Sequence, residues 1–392
     1  MKNRIISFLL SLFLLVTSNC EFAVASASSS DTNSVSAAAP LSLSAKSYCL
    51  MDGDTGVVLA EKNSALRLPM ASTTKIMTCI LALELADLKD DVVIDPSAVG
   101  IEGSSIYLIA GETLRLEELL YALMLESAND AAVAIALHIS NSVDGFAEQM
   151  NRKALELGLT DTRYCNANGL QEENHYSSAR DLSVLMQYCL RNPFFAEIVG
   201  TETKVISAPN QNSRYLTNHN KLLRTYEYCI GGKTGYTKAA GRCLVSAAEQ
   251  NGKQLICVTL GAPDDWNDHK ALFRHGFSLY SHQEVLREME LTFSLSVVGG
   301  TTSCVTIANS SPLSLPLRKG ETVETVLEAP AFLYAPVFEG ECCGEAVFYS
   351  NGSEIARVAL EAKEDVVFLE ESPGFWERIW NQIKMWFKKW KN

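Results

Sequence analysis

Apolar positions follow two rules along this chain. In its middle they recur three and four apart or fill whole segments, as helices require; towards both ends they alternate in short runs, as strands require. Residues 45–51 and 57–60 flank Asp52-Gly53-Asp54-Thr55-Gly56 and predict a hairpin. Residues 76–83 are almost wholly apolar, the mark of a helix buried on every side and entered here through Pro69. Thr113 is expected to cap a helix carrying Leu114, Leu116, Leu119, Leu120, Leu123 and Leu125. Further helices are expected over 130–140, over 143–157 with a stop at Gly158, and over 178–191 with a stop at Pro193.

The pattern then changes. Residues 243–249 and 254–260 read as strands joined at Asn251-Gly252, a strong hairpin signal. Lys233-Thr234-Gly235 precedes them and is expected on its own strand edge, and 269–281 reads as one more helix. Strands at both ends with helices between predict an α/β (α+β) domain: one antiparallel sheet with helices packed against it. From about 290 the helices disappear. Runs at 304–307, 322–327, 346–349 and 355–359, with a turn at Ser350-Asn351-Gly352-Ser353, predict a small all-β domain.

The ends carry different signals. Lys2 and Arg4, an apolar run over 5–16 and Ala23-Val24-Ala25 compose a secretory signal with its cleavage site. Cys20 has no aliphatic residue at the place a lipoprotein motif wants one. Residues 26–40 form a Ser/Ala/Thr-rich leader without periodicity. At the other end Trp376, Ile379, Ile383, Trp386, Phe387 and Trp390 recur at helical spacing, bordered by Arg378, Lys384, Lys388, Lys389 and Lys391. No run there approaches the roughly 20 apolar residues of a spanning helix. Tryptophans beside lysines instead predict a helix lying on a membrane surface. The expected organisation is a signal over 1–25, a leader over 26–40, the α/β domain over 41–285, the β-rich domain over 290–370 and an amphipathic membrane-anchoring helix over 374–391.

With 392 residues, 47% apolar and 20% charged, the chain is globular and long enough for two domains. A net charge of −13 argues against nucleic acid as a partner. Cys79, Cys189, Cys243 and Cys257 sit inside apolar segments, so most cysteines are expected as free thiols despite export. No ligand pattern suggests a metal, and no cofactor is expected.

Candidate chemistry lies in three motifs in order: Ser72-Thr73-Thr74-Lys75, Ser127-Ala128-Asn129 and Lys233-Thr234-Gly235. In the first, a hydroxyl and an amine three residues apart share a helix face. Burial lowers a lysine's pKa, so the amine can take the hydroxyl proton near neutrality. Each motif alone has an ordinary structural explanation: an N-cap, a snorkelling lysine, a strand end. The ordered trio is the set that serine penicillin-interactive enzymes share.

With Asn129-Asp130-Ala131, His175-Tyr176-Ser177-Ser178-Ala179-Arg180-Asp181-Leu182 and Gly232-Lys233-Thr234-Gly235-Tyr236-Thr237, the chain closely resembles the low-molecular-mass penicillin-binding proteins that act as D-alanyl-D-alanine carboxypeptidases. The resemblance implies a β-lactamase/transpeptidase-like catalytic fold. It implies a serine hydrolase at the outer face of the cytoplasmic membrane, acting on peptidoglycan stem peptides and acylated by β-lactam antibiotics. By the same resemblance Ser72 is the nucleophile, Lys75 the base and Ser127 the proton relay. Asn129, Lys233, Thr234, Gly235 and Tyr236 hold substrate. His219, in Asn218-His219-Asn220, is a further substrate contact or simply a surface histidine. The chain departs from its relatives at Ala128, where β-lactamases carry aspartate, and at Asn168-Gly169, where relatives often have histidine before the glycine. Two other readings compete. A β-lactamase would need a deacylating glutamate, for which Glu172 and Glu173 lack the expected surroundings. A non-catalytic wall-binding protein would not need the intact motifs.

Overall fold

The computed structural model describes residues 41–207, 213–369 and the helix 375–390. The export signal, its cleavage site, Cys20 and the leader lie outside the described residues.

Antiparallel strands β1 (Ser47–Asp52) and β2 (Val58–Lys62) form the first hairpin. Helix α1 (Lys75–Leu85) follows a 3-10 turn, Ala71–Thr74. Every residue from Lys75 to Ala82 is buried, as the all-apolar run requires. The short pair β3 (Asp91–Val93) and β4 (Thr113–Arg115) comes next. Thr113 and Leu114 therefore belong to a strand, and the helix they were expected to open, α2 (Leu116–Leu125), begins after them. Its first turn is closed by Glu118, whose Oε2 accepts from the Arg115 backbone N–H at 3.1 Å, with no Ser/Thr cap to betray it.

Helices α3 (Asn129–Ser140), α4 (Val143–Glu156) and α5 (Ala179–Leu190) lie close to the predicted ranges. Pro193, expected as a stop signal, opens α6 (Pro193–Gly200) at its first turn, where a missing N–H costs nothing. The pair β5 (Thr203–Ile206) and β6 (Arg214–Thr217), and the single turn α7 (Leu222–Thr225), carry no clear periodic signal. Strands β7 (Cys229–Thr237), β8 (Gly241–Gln250) and β9 (Lys253–Leu260) complete the sheet, and α8 (Asp265–Leu279) follows.

The sheet order is β2-β1-β9-β8-β7, antiparallel throughout, with β7 at an edge. Alternate residues serve two cores. Cys49, Met51, Val245, Ala247, Ile256 and Val258 face the layer of α1–α6. Leu50, Leu244, Ala248, Leu255 and Cys257 face α8 through Leu272 and Phe273. Covered on both faces, β8 and β9 read as continuous apolar runs rather than alternating ones. Each fully buried Leu or Ile contributes about 1.5–3 kcal/mol.

The β-rich domain contains strands β10 (Tyr280–Leu286), β11 (Thr292–Val298), β12 (Cys304–Ala308), β13 (Leu313–Arg318), β14 (Glu324–Glu328), β15 (Leu333–Tyr334), β16 (Cys342–Ser350) and β17 (Ser353–Ala362). They form a pair, β10-β13, and a sheet ordered β14-β16-β17-β12-β11-β15 around a core with Val305, Ile307, Leu315, Phe348 and Leu360. Asn351 and Gly352, at φ 50° and 75°, make the predicted tight turn of β16–β17. The last helix is α9 (Phe375–Trp390). Ten cysteines, Cys49 to Cys343, are free thiols.

Candidate active site

Ser72 sits in the 3-10 turn that leads into α1. The preceding residue, Ala71, has φ +48°, a left-handed conformation that costs a non-glycine residue about 1–2 kcal/mol. Its surroundings hold it there. Thr74 Oγ1 donates to Ala71 O at 2.8 Å, and Thr73 Oγ1 donates to Met70 O at 2.7 Å. Two glycines permit the close packing. A Cβ on Gly169, itself at φ +88°, would lie 2.0 Å from Ala71 O. A Cβ on Gly235 of β7 would lie 3.0 Å from Met70 O and 3.1 Å from Ser72 N. The edge strand and the serine turn are therefore in direct backbone contact.

Lys75 is fully buried. Its Nζ lies 3.1 Å from Ser72 Oγ, 2.7 Å from Asn129 Oδ1 and 2.5 Å from Asn168 O. Burial drives its pKa well below the ordinary lysine value; the Lys233 charge lowers it further, and Asp130 opposes. A neutral amine has two N–H donors and one lone pair. Amide and carbonyl oxygens only accept, so Asn129 and Asn168 take both hydrogens. The lone pair is left facing Ser72 Oγ, which can donate its proton there.

Ser127 lies between α2 and α3 with φ +60°, and it is buried. Ala128, not Ser127, is the N-cap of α3, without a side-chain cap bond, so the serine hydroxyl does not serve the helix end. Asn129 uses both ends of its amide: Oδ1 accepts from Lys75 and Nδ2 donates to Glu102 O at 2.5 Å. Asp130, also buried, accepts from Ser105 Oγ at 2.6 Å, Ile106 N at 3.3 Å and Leu108 N at 3.1 Å. It thereby holds the 102–112 loop against the start of α3, and Arg214 clamps the loop's far end through Glu112 at 2.8 and 3.0 Å.

Lys233 is buried on β7, and burial pushes its ammonium down to about 7. It donates to Thr234 O at 3.0 Å. Thr234 is half-buried and Tyr236 projects into solvent. His219 is half-exposed; its Nε2 lies 3.3 Å from Glu126 Oε2, beside Ser127 in sequence. Burial and the Lys233 charge lower the His219 pKa, against Glu126. Ser72, Lys75 and Asn129 thus meet in one hydrogen-bonded cluster, and the Lys233 charge acts on both Lys75 and His219.

Sequence reasoning missed three parts of this site. The Asn168 carbonyl is a backbone group and has no residue-type signature. Its loop is built by Asn166 Oδ1 accepting from Gly169 N at 2.8 Å and by Asn168 Oδ1 accepting from Leu170 N at 2.9 Å; the Asn-x-Asn-Gly string was the readable trace. Asp130 and His175 carry no chemical signal of their own in the sequence beyond the resemblance, yet His175 bonds Thr74 beneath the serine turn. Glu172 Oε1 accepts from Asn166 Nδ2 at 2.6 Å and so braces the same loop.

Among the described residues, one group has metal-ligand types close together: Asp52, Asp54 and His282. Asp52 Oδ1 already accepts from Thr55 N and Oγ1, and its Oδ2 lies 2.7 Å from His282 Nε2. With Tyr280 OH donating to Leu59 O at 2.7 Å, it joins β10 to the first hairpin.

A family model described as D-alanyl-D-alanine carboxypeptidase, peptidase S11, matches residues 33–264. The chain belongs to this family of serine hydrolases, and its fold is that of a low-molecular-mass penicillin-binding protein. It is 33% identical over 352 residues to the D-alanyl-D-alanine carboxypeptidase DacF of Bacillus subtilis (strain 168), covering 86% of this chain and 90% of that one. It is 30% identical over 368 residues to DacC of Escherichia coli (strain K12), covering 89% and 90%. The crystal structure of penicillin binding protein 5 from Haemophilus influenzae superposes with a TM-score of 0.73 at 29% identity, covering 84% of this chain and 99% of that one.

Proposed function

We propose that this chain removes the terminal D-alanine from peptidoglycan stem pentapeptides through an acyl-enzyme on Ser72, and that β-lactams acylate the same oxygen. The observation that carries the reading is the buried Lys75 amine, 3.1 Å from Ser72 Oγ, with its two hydrogens engaged elsewhere. Lys75 takes the Ser72 proton as Oγ attacks the carbonyl carbon of the penultimate D-alanine. The backbone N–H groups of Ser72 and Tyr236 stabilise the oxyanion. The C–N bond breaks, and the proton held by Lys75 passes through Ser127 to the departing amine, which leaves Lys75 neutral again. Water, deprotonated by Lys75, then cleaves the ester.

Lys233 and Thr234 read the substrate carboxylate. With the carboxylate at Thr234 and the oxyanion at Tyr236, the peptide runs antiparallel to β7, adding a strand to the sheet's free edge. His219, half-exposed and held by Glu126, is a peripheral substrate contact. The bond between Glu172 and Asn166 supports a peptidase over a β-lactamase, because that glutamate braces a loop instead of activating water.

The test is a pentapeptide ending in D-Ala-D-Ala, with its C-terminal amide as control. The wild-type protein should release D-alanine from the free acid and cleave the amide far more slowly. Thr234→Val keeps the shape and removes the hydroxyl, and it should narrow that preference by about 10-fold, the worth of one hydrogen bond to a charge. No D-alanine release would refute the activity; equal losses on both substrates would refute carboxylate reading.

We further propose that the protein is exported and that α9 lies on the outer face of the cytoplasmic membrane. The described helices include none long and apolar enough to cross a membrane. Trp380, Trp386, Phe387 and Trp390 are exposed along α9, and Trp386 stacks on Trp390 at 6.3 Å. Aromatic side chains beside lysines favour the lipid interface. Removing residues 374–392 should move an active enzyme from the membrane pellet to the supernatant. An unfolded truncation, or one still in the pellet after signal cleavage, would count against the anchor.

A further inference from the structure

Beneath the serine turn runs a hydrogen-bond chain whose direction is determined throughout. Cys165 N–H lies 3.0 Å from His175 Nδ1, and a backbone amide can only donate. Nδ1 is therefore the acceptor, and the neutral ring carries its hydrogen on Nε2. Nε2 lies 2.7 Å from Thr74 Oγ1. The single Thr74 hydroxyl hydrogen goes to Ala71 O at 2.8 Å, so Thr74 accepts from the ring. Ala71 is the residue with left-handed φ, and its carbonyl belongs to the peptide whose N–H is that of Ser72.

We propose that His175 is a positioning residue for acylation: through Thr74 it sets the Ala71–Ser72 peptide plane, and with it the Ser72 oxygen and one oxyanion donor. The proposal rests on the reading that Ser72 is the acylated serine. His175 touches neither substrate nor reacting atoms. The ring is 3% exposed and packs edge-on against Tyr164, centroids 5.9 Å apart, so it has no freedom to swing. Burial, reinforced by the Lys75 charge, pushes the imidazole down to about 4, which keeps it in the neutral form the chain needs. A ring protonated at both nitrogens could not accept from Cys165. Thr74 is fully buried, so the chain is shielded from competing water. Gly169 packs against the same peptide so closely that a Cβ there would collide with the Ala71 carbonyl. The peptide is thus held by packing at Gly169 and by the hydrogen bonds that run through Thr74 to His175.

The experiment uses the full chain and a chromogenic β-lactam under pre-steady-state conditions, which separates initial binding from the acylation rate. His175→Ala and Thr74→Val each should slow acylation about 10- to 100-fold with initial binding little changed, the scale expected when a reacting group is displaced by about an ångström. Combined, they should be no slower than the worse single variant, because one chain is broken only once. His175→Gln offers one acceptor and one donor on a similar reach and should recover most of the rate. A merely structural role would show instead in melting temperature, with no rescue specific to the bonding pattern. Wild-type acylation by His175→Ala, multiplicative losses in the double variant, or a glutamine variant as slow as alanine would overturn the proposal. If His175→Ala does not fold, Thr74→Val and His175→Gln carry the same contrast. Mass spectrometry of the wild-type adduct keeps the two readings apart, since an adduct away from Ser72 sinks the nucleophile assignment itself.

Discussion

Ser72→Ala should abolish both covalent β-lactam labelling and D-alanine release, by at least about 10⁴-fold, as expected when a nucleophile that acts as a unit with its base is removed. The fold should survive. Lys75 keeps its bonds to Asn129 Oδ1 and Asn168 O, so the loss of one hydroxyl strands no buried charge. Intact-mass spectrometry after exposure to a β-lactam, with a melting curve alongside, checks both halves. An adduct on another serine, or a collapsed melting temperature, would contradict the assignment.

Lys75→Arg should also lose acylation, by about 10³-fold or more, although it keeps the positive charge. Guanidinium does not deprotonate in proteins, so no lone pair can face Ser72 Oγ. Its planar fork also cannot reproduce three contacts made by one nitrogen. The wild-type protein makes the complementary statement through pH. Below the folded pKa of Lys75 the amine is protonated and acylation should be slow. Above it the rate should rise, with this limb below the ordinary lysine value of about 10.4 because burial and Lys233 depress it. The same shift has a stability consequence. Between the depressed folded pKa and about 10.4 the unfolded chain binds the extra proton, so the penalty for burying Lys75 shrinks as pH rises through that window. In Lys75→Arg both the kinetic limb and this contribution to the stability slope should vanish. A variant that acylates at the wild-type rate would place the base elsewhere.

Much of the fold was legible because its causes are local. The Asn251-Gly252 turn needs two residues that tolerate positive φ, and both adopt it. The run 76–83 was expected to be buried, and it is through Ala82. Where reading failed, the deciding contact was distant or the local signal ambiguous. Thr113 and Leu114 join a strand because Asp91–Val93 lies alongside, not because of their own propensity. Pro193 marks a helix boundary equally well as an end or as a start, and the chain uses it as a start. The β5–β6 pair carries too few apolar residues to announce itself.

The chemical inventory is written in the residue order: a hydroxyl and an amine three residues apart, a second serine with an asparagine, and a lysine and threonine before a glycine. Motif spacing carries that information because side chains on one turn of helix, or along one strand, are neighbours whatever the rest of the chain does. The state of those groups comes from packing between distant parts of the chain. Lys75 can serve as a base because acceptors 54 and 93 residues away occupy its hydrogens and because an entire helical layer excludes water from it. The peptide before Ser72 holds its left-handed turn because Gly169 and Gly235 approach where no side chain fits and because a histidine 101 residues from Thr74 completes its hydrogen bonds. Desolvation and backbone approach depend on how residues far apart in the chain pack together, so no local pattern of residues carries them.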